Sequence, residues 1–398
     1  MYALIFTVFV DLVGFGIVLP LLPLYAQKFG ASAEIVTLVA VSYTLAQALF
    51  GPFWGWLSDR IGRKPVLLIT IGGTFCGYIL LAFSESLWML FAARFFGGAM
   101  AANMSVAHAL VADITRAEDR TRAIARLSGA AGLGFIAGPA VGGLLGGGDP
   151  ANPEFILPYA AAAAFSAIAF VLAILLIRET VTADQKTLAR SPAGRRAWRE
   201  VIVRPQTRLL LCLMFASPFV FAGIEVIIVL WSERAWGWGP RQNGYFYAWM
   251  GLCHVSLQWF AIGRLAARIG ERALITLGAL SLGAGVVWLP LASSPVELYA
   301  GAFLMILGVS ANASSLNSLL SQYAAAGNRG GVLGVSQTFA GAGRIAGPAL
   351  AGVAFAGLGM DWPFFIGGLV MVAMALGSRG IAVRRAAEIA EKDRGGPS

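Results

Sequence analysis

Apolar residues in this chain come as unbroken runs of about twenty, separated by short polar segments. As an α-helix rising 1.5 Å per residue, a run of that length crosses a hydrocarbon core about 30 Å thick. The alternation of a membrane β-barrel is missing, and a helix satisfies its own backbone in lipid. The pattern predicts twelve spans, near residues 3–25, 35–57, 65–84, 88–112, 126–147, 157–177, 208–231, 243–263, 273–292, 297–319, 331–356 and 363–383. The first run is too long, and too poor in a basic leader, for a cleaved signal, so it is read as span one.

One polar, Arg-rich stretch interrupts the series at 178–207, with six spans on either side. Features before it return after it. The hairpin GWLSDRIGRK from Gly55 recurs as GRLAARIGER from Gly263, 208 residues on. GFIAGPAVGG from Gly134 recurs as GRIAGPALAG from Gly343, at 209, and Arg120 and Arg329 precede these two at the same interval. Several features at one spacing mark a duplication. The expected organisation is an all-α membrane protein of twelve transmembrane helices in two pseudo-symmetric six-helix bundles, 1–177 and 208–383. A linker, 178–207, joins them and a tail, 384–398, follows. Two parallel six-helix repeats with a site between them is a transporter plan.

Charge sets orientation and removes other classes. Only 12% of residues are charged against 58% hydrophobic. Of 29 Lys and Arg, 24 fall in the segments on the side of the two termini, and Lys28, Arg234 and Arg241 on the other. That bias predicts cytoplasmic termini in an inner membrane, and it accounts for the net charge of +9 without a nucleic-acid partner. Three scattered cysteines and two histidines offer no metal-ligand spacing. No cofactor is expected beyond protons as coupling ion, nor an enzyme, since no nucleophile stands with a base. Gly132-Leu-Gly134-Phe-Ile-Ala137 fits a dinucleotide fingerprint in letters only, because no strand precedes it.

Intramembrane polar residues are costly and are candidates for function. Asp11 and Glu225 are the acids, Arg94 and Arg344 the bases. A mid-membrane carboxylate such as Asp11 suits a proton relay; the alternative is a static partner for Arg94. Glu225 suits a cationic substrate or a second proton, or a hydrogen bond near the outer interface. Arg344 suits neutralisation of Glu225 or an anionic group. Gln47, Asn103 and His254, with aromatics around Phe219, Phe221, Tyr245, Tyr247 and Trp249, are candidates for an amphipathic cavity; interhelical hydrogen bonds and lipid contact are the alternatives.

Gly55-x-x-x-Asp59-Arg60-x-Gly62-Arg63-Lys64 resembles the loop signature of the major facilitator superfamily. Gly134-x-x-x-Gly138-Pro139-x-x-Gly142-Gly143 resembles the antiporter signature of its drug:proton branch, and Arg94-x-x-x-Gly98 that branch's third motif. SYTLAQALFGPFWGWLSDRIGRKPVL is similar to the tetracycline-resistance exporters. The resemblance implies a cytoplasmic gate of Gly55, Asp59, Arg60, Gly62, Arg63, Asp113 and Arg120, in which Asp59 also meets the start of span eleven at Gly330-Gly331. It implies proton coupling by Asp11 and Arg94, and a half-interface sealed by Gly134, Gly138, Pro139 and Gly142; Glu225 is a further candidate for proton coupling as a buried acid, outside the resemblance. Ala267 replaces the acid in the second hairpin, so one half alone is expected to hold an electrostatic latch. Acids that tetracycline exporters carry in spans three and nine are Gly77 and Leu282 here, so the resemblance does not extend to tetracycline as substrate. The expected activity is export of an amphipathic small molecule in exchange for protons, by a monomer in the lipid bilayer. Export of a sugar or metabolite by the same fold is the alternative.

Overall fold

The computed structural model describes residues 2–101, 103–115, 119–150, 152–177, 179, 205–323 and 329–381. The tail and nearly all of the linker lie outside the described residues. Every described element is helical: α1 (Tyr2–Val18), α2 (Leu22–Lys28), α3 (Ala33–Ile61), α4 (Arg63–Ala82), α5 (Leu87–Met100), α6 (Asn103–Ile114), α7 (Arg120–Gly146) and α8 (Ile156–Leu176) form the first half. In the second half come α9 (Pro205–Trp236), α10 (Pro240–Phe260), α11 (Ile262–Ile269), α12 (Glu271–Trp288), α13 (Pro295–Tyr323), α14 (Arg329–Gly357) and α15 (Trp362–Ser378). These make the twelve spans of two bundles.

Three spans are broken, which hydropathy alone does not reveal. Span one divides at Leu19–Leu21 around Pro20, span four at Ala101, and span eight at Ala261. Sharp reversals follow backbone chemistry. Gly62 (φ 116°) and Gly270 (φ 80°) each separate two helices by a single residue, a conformation L side chains rarely adopt. Ser86 starts α5 by accepting a hydrogen bond from the Met89 N–H at 3.3 Å.

Because spans alternate in direction, Tyr2, Gly62, Ile114, Leu176, Gly270, Tyr323 and Ser378 lie at one end, the termini end. The bundles meet mainly through α7 with α10 and α3 with α14. At the far end these contacts are tight: Gly143 lies against Gly244 and Gly352 against Glu34 and Thr37, Arg241 N–H donates to the Gly147 carbonyl at 2.8 Å, and Gln27 Nε2 donates to Glu233 at 3.0 Å. Toward the termini end, a side chain added at Gly51 or Gly55 of α3, or at Gly334 or Gly341 of α14, would meet nothing within 4 Å among the described residues. The far end is closed, and the seam between α3 and α14 parts toward the termini.

Candidate functional site

Asp11 is only 7% exposed on α1. Its Oδ2 accepts a hydrogen bond from Asn103 Nδ2 at 2.8 Å, and its Oδ1 has no protein partner among the described residues. Asn103 is placed there by the break in span four, where it opens α6. The same break frees the Ala101 carbonyl, which accepts from Gln47 Nε2 at 3.0 Å. Gln47 and Asn103, both expected in a substrate cavity, instead serve this break and the buried acid. Arg94 forms no ion pair with Asp11 in this state. Its guanidinium lies 4.2 Å from the centre of the Tyr43 ring, and Gly98 of the same motif gives the Tyr43 backbone room to approach α5. Tyr43 was not singled out from sequence; a tyrosine at the middle of a span was its only signal.

At the termini end Arg63 bridges two acids, 2.5 Å from Asp59 and 3.1 Å from Asp113, and donates to Ser58 Oγ at 2.7 Å. Arg60 stacks 4.1 Å over Trp56. The orphan N–H groups at the start of α4 are taken by Glu179, whose carboxylate accepts from Arg63 N–H at 3.0 Å and Lys64 N–H at 3.1 Å. Capping of a helix start was expected of Asp59, at α14. In this state its place is beside Arg63, because α3 and α14 are parted there. For the same reason Gly55, expected to allow a close approach, has open space. Glu179 was missed because it sits in the polar linker; its signal was an acid directly after span six. The side chains of Arg120 and Gly330-Gly331 lie outside the described residues.

The second hairpin is braced by hydrogen bonds, with no ion pair among the described residues. Glu271, 208 residues after Arg63, accepts from Ser318 Oγ and from Gln322 Nε2 at 3.0 and 2.9 Å, and Gln322 stands 209 residues after Asp113. Lys64 Nζ donates to the Ile174 carbonyl at 2.7 Å; its counterpart Arg272 donates to the Arg379 carbonyl. The brace survives with its polarity reversed.

The antiporter-like motif faces two ways. Gly134, Gly138 and Gly142, one turn apart, lie against α1 so closely that a Cβ at Gly138 would sit 2.6 Å from Gly16 Cα. The next column, Gly132, Gly143 and the Pro139 carbonyl, faces α10 of the other bundle, while the Pro139 ring lies against Gly16 of α1: a Cβ at Gly132 would be 2.7 Å from Val255, and one at Gly143 2.8 Å from Gly244. The half-interface belongs to this second column, and the first three glycines join α7 to the helix of Asp11.

Between the bundles lies a cavity of about 840 Å³. The face from α7 is mostly small or apolar, including Ala131, Gly132, Phe135 and Pro139, with Ser128 near the termini end. The opposite face carries Glu225, Tyr247, His254, Gln258, Ser314 and Asn317. Two rungs tie α10 to α13: His254 Nδ1 with Ser310 Oγ at 3.0 Å, and Gln258 Nε2 to Ser314 Oγ at 2.9 Å. Helical period explains which aromatics arrive. Tyr247, Met250, Gly251, His254 and Gln258 follow one face of α10, whereas Tyr245 and Trp249 point elsewhere, Trp249 into an apolar groove with Trp288 and Tyr299. Phe219 stacks on Phe215 and packs against Gly343; Phe221 is the cavity-lining residue of that pair. Arg344 is exposed, does not line the cavity, and lies within electrostatic reach of Glu225 without a salt bridge. Asp11 is also absent from the lining.

A family model described as Major Facilitator Superfamily matches residues 4–258 and 226–396. Tetracycline resistance protein, class B, of Escherichia coli is 34% identical over 70% of this chain and 69% of its own length. Multidrug resistance protein 2 of Bacillus subtilis is 26% identical over 93% of this chain and 92% of its own. Among solved structures, the nucleoside transporter NupG superposes with a TM-score of 0.82 at 12% identity, covering 96% of this chain and 99% of that one. The human organic anion transporter TETRAN gives 0.69 at 21%, covering 95% and 98%. At these identities the structures speak for the fold.

Proposed function

This chain belongs to the major facilitator superfamily, and on that premise we propose that it exports amphipathic small molecules in exchange for protons by alternating access. The observation that carries the reading is the cavity between the bundles, closed at the far end, with an apolar wall from α7 and a mixed wall opposite that sets polar groups among apolar ones, next to a helix that holds a buried carboxylate. An amphipathic molecule lays its ring or chain against Phe135 and Pro139 and its polar edge along His254 and Gln258. Relatives named for tetracycline and multidrug resistance support this class. A sugar is served less well, because most of the lining would leave its hydroxyls unpaired.

The termini end faces the cytoplasm, following the basic bias, and the membrane is the inner one. Substrate enters the cavity from there while the far end is shut. Protonation of Asp11 removes a charge from the helix that packs along α7, and so couples to α7 sliding on α10. Asp59, Arg63 and Asp113 hold the cytoplasmic side when it closes. One proton falling through 100 mV supplies about 2.3 kcal/mol, enough for a roughly 50-fold gradient of substrate.

The test is proton release from everted vesicles with an acidified lumen on adding amphipathic drugs, ethidium among them. Wild type is expected to release protons and Asp11→Asn to release none. Equal responses from both would place coupling elsewhere and sink the assignment of Asp11.

A further inference from the structure

Asp11 does not border the cavity, so its proton needs another route. Polar side chains surround it inside the first bundle. Tyr43 of α3 and Tyr78 of α4 both lie within electrostatic reach of Asp11 and of Arg94, and Arg94 is in turn within reach of Tyr159 on α8. The Tyr159 ring lies 5.5 Å from that of Tyr25, whose hydroxyl donates to the Ser84 carbonyl at 2.6 Å in the turn before α5.

Helix rise orders these residues by depth. Tyr43 is about 15 Å from the far end, Arg94 about 10 Å, and Tyr78 and Tyr159 about 5 Å. Ser84 is at the end itself. Four atoms along this line have no partner among the described residues: Asp11 Oδ1, Asn103 Oδ1, Arg94 Nε and Tyr159 Oη. Their residues are at most 7% exposed. Buried polar atoms nearly always have a partner, and neighbouring orphans of this kind are what ordered water satisfies.

We propose that this column is a proton path, separate from the substrate cavity, joining Asp11 to water at the far face. It rests on the proton-exchange reading above. A proton arriving from far-side water binds one hydroxyl or water oxygen, which passes its own proton inward. The relay ends when the Asp11 carboxylate becomes a carboxyl, and every tyrosine is left as it began. Arg94 keeps its charge. Its cation disfavours a lingering hydronium, so a proton passes only toward an ionised Asp11. Of the elements packed on α1, α8 contributes Tyr159, α6 the neutral Asn103, and α7 glycines; Tyr43 packs its ring 5.4 Å from that of Phe15 and Tyr78 lies against Gly14, both on α1 itself, and Glu85 is within reach of Tyr25 at the mouth.

Tyr159→Phe tests the path, because the hydroxyl it removes has no protein partner among the described residues and its loss leaves packing intact. In everted vesicles, ethidium-driven proton release is expected to fall at least ten-fold. Exchange of labelled ethidium across the same vesicles without a pH gradient is expected to stay at the wild-type rate. Loss of exchange to the same extent would make Tyr159 a structural residue and overturn the path. Release at the wild-type rate, with Asp11→Asn still inactive, would overturn the path and leave antiport standing. If wild type itself released no protons, both would fall.

Discussion

Arg63 and Glu271 hold the same position in the two hairpins, 208 residues apart, and each ties the start of its helix to the end of the following span. In the first repeat the base is at the hairpin and the acid, Asp113, on the span. In the second the acid is at the hairpin and an amide, Gln322, on the span. The duplicated geometry is kept while its chemistry is exchanged.

That relationship predicts a rescue. Glu271→Arg alone places a cation against Gln322 and Ser318 and leaves it unpaired. Hydrogen bonds to a charged group contribute about 1.5–3 kcal/mol, so transport is expected to fall by about ten-fold or more. Adding Gln322→Asp rebuilds the first repeat's pair and is expected to restore most of the rate. Initial rates of ethidium efflux check it, and a double variant no better than the single would count against the equivalence.

Gly62 and Glu179 form one turn-and-cap unit. A Cβ at Gly62 would lie 2.6 Å from Glu179 Cδ, on a backbone with φ of 116°. Gly62→Ala is expected to cost about 1–3 kcal/mol, and Glu179→Ala about 1 kcal/mol for the lost cap. Since the alanine at 62 also evicts the carboxylate, the double variant should be less destabilised than the sum. Thermal melts of the detergent-purified protein decide it, and strict additivity would separate the two residues.

The rung between His254 and Ser310 predicts a change in recognition. Ser310 is fully buried and holds His254 Nδ1, which leaves Nε2 as the ring's remaining polar atom. Ser310→Ala strands Nδ1, at about 1–3 kcal/mol, and releases the ring that aims Nε2, so affinity is expected to weaken roughly five- to hundred-fold for compounds with a hydrogen-bonding edge. Purely apolar cations should bind as before. Equilibrium binding of ethidium, whose amino groups give it such an edge, beside tetraphenylphosphonium, which has none, checks this; equal losses for both would mean a packing defect.

Gly138 predicts a loss of motion. With Gly16 Cα already where a side chain would go, Gly138→Val must part α1 from α7. Overpacking of this kind costs about 1–3 kcal/mol and here displaces the helix of Asp11. Proton release is expected to be lost together with substrate exchange, unlike in Tyr159→Phe. Retention of either would show that the seam between α1 and α7 is pliable.

Span number, the repeat and the termini-end hairpin were legible in sequence because each rests on a local rule: run length, interval, or a glycine that must turn. Asp11 was legible because an acid in FTVFVDLVGFG has no surface to occupy. The rest depended on rotation and on breaks. Period alone does not say which face of α10 looks inward, so Tyr245 and Trp249 stood level with Tyr247 and His254 until the helix was oriented. Nor does hydropathy register that span four opens at Ala101, and without that break the roles of Gln47 and Asn103 stay hidden.

The seam between α3 and α14 is used over half its length. Thr37 touches Gly352 at the far end; eighteen residues, about five helical turns, bring the same face of α3 to Gly55 and the same face of α14 to Gly334. Each of these glycines has vacant space among the described residues where a neighbour would be. On the proposed alternating access, the two helices carry a second, unspent copy of their own closure, written in glycine at the matching height of both, and one rocking motion would trade the first for the second. Asp59, one turn beyond Gly55, would then arrive at the first turn of α14, the meeting that the parted helices withhold in this state.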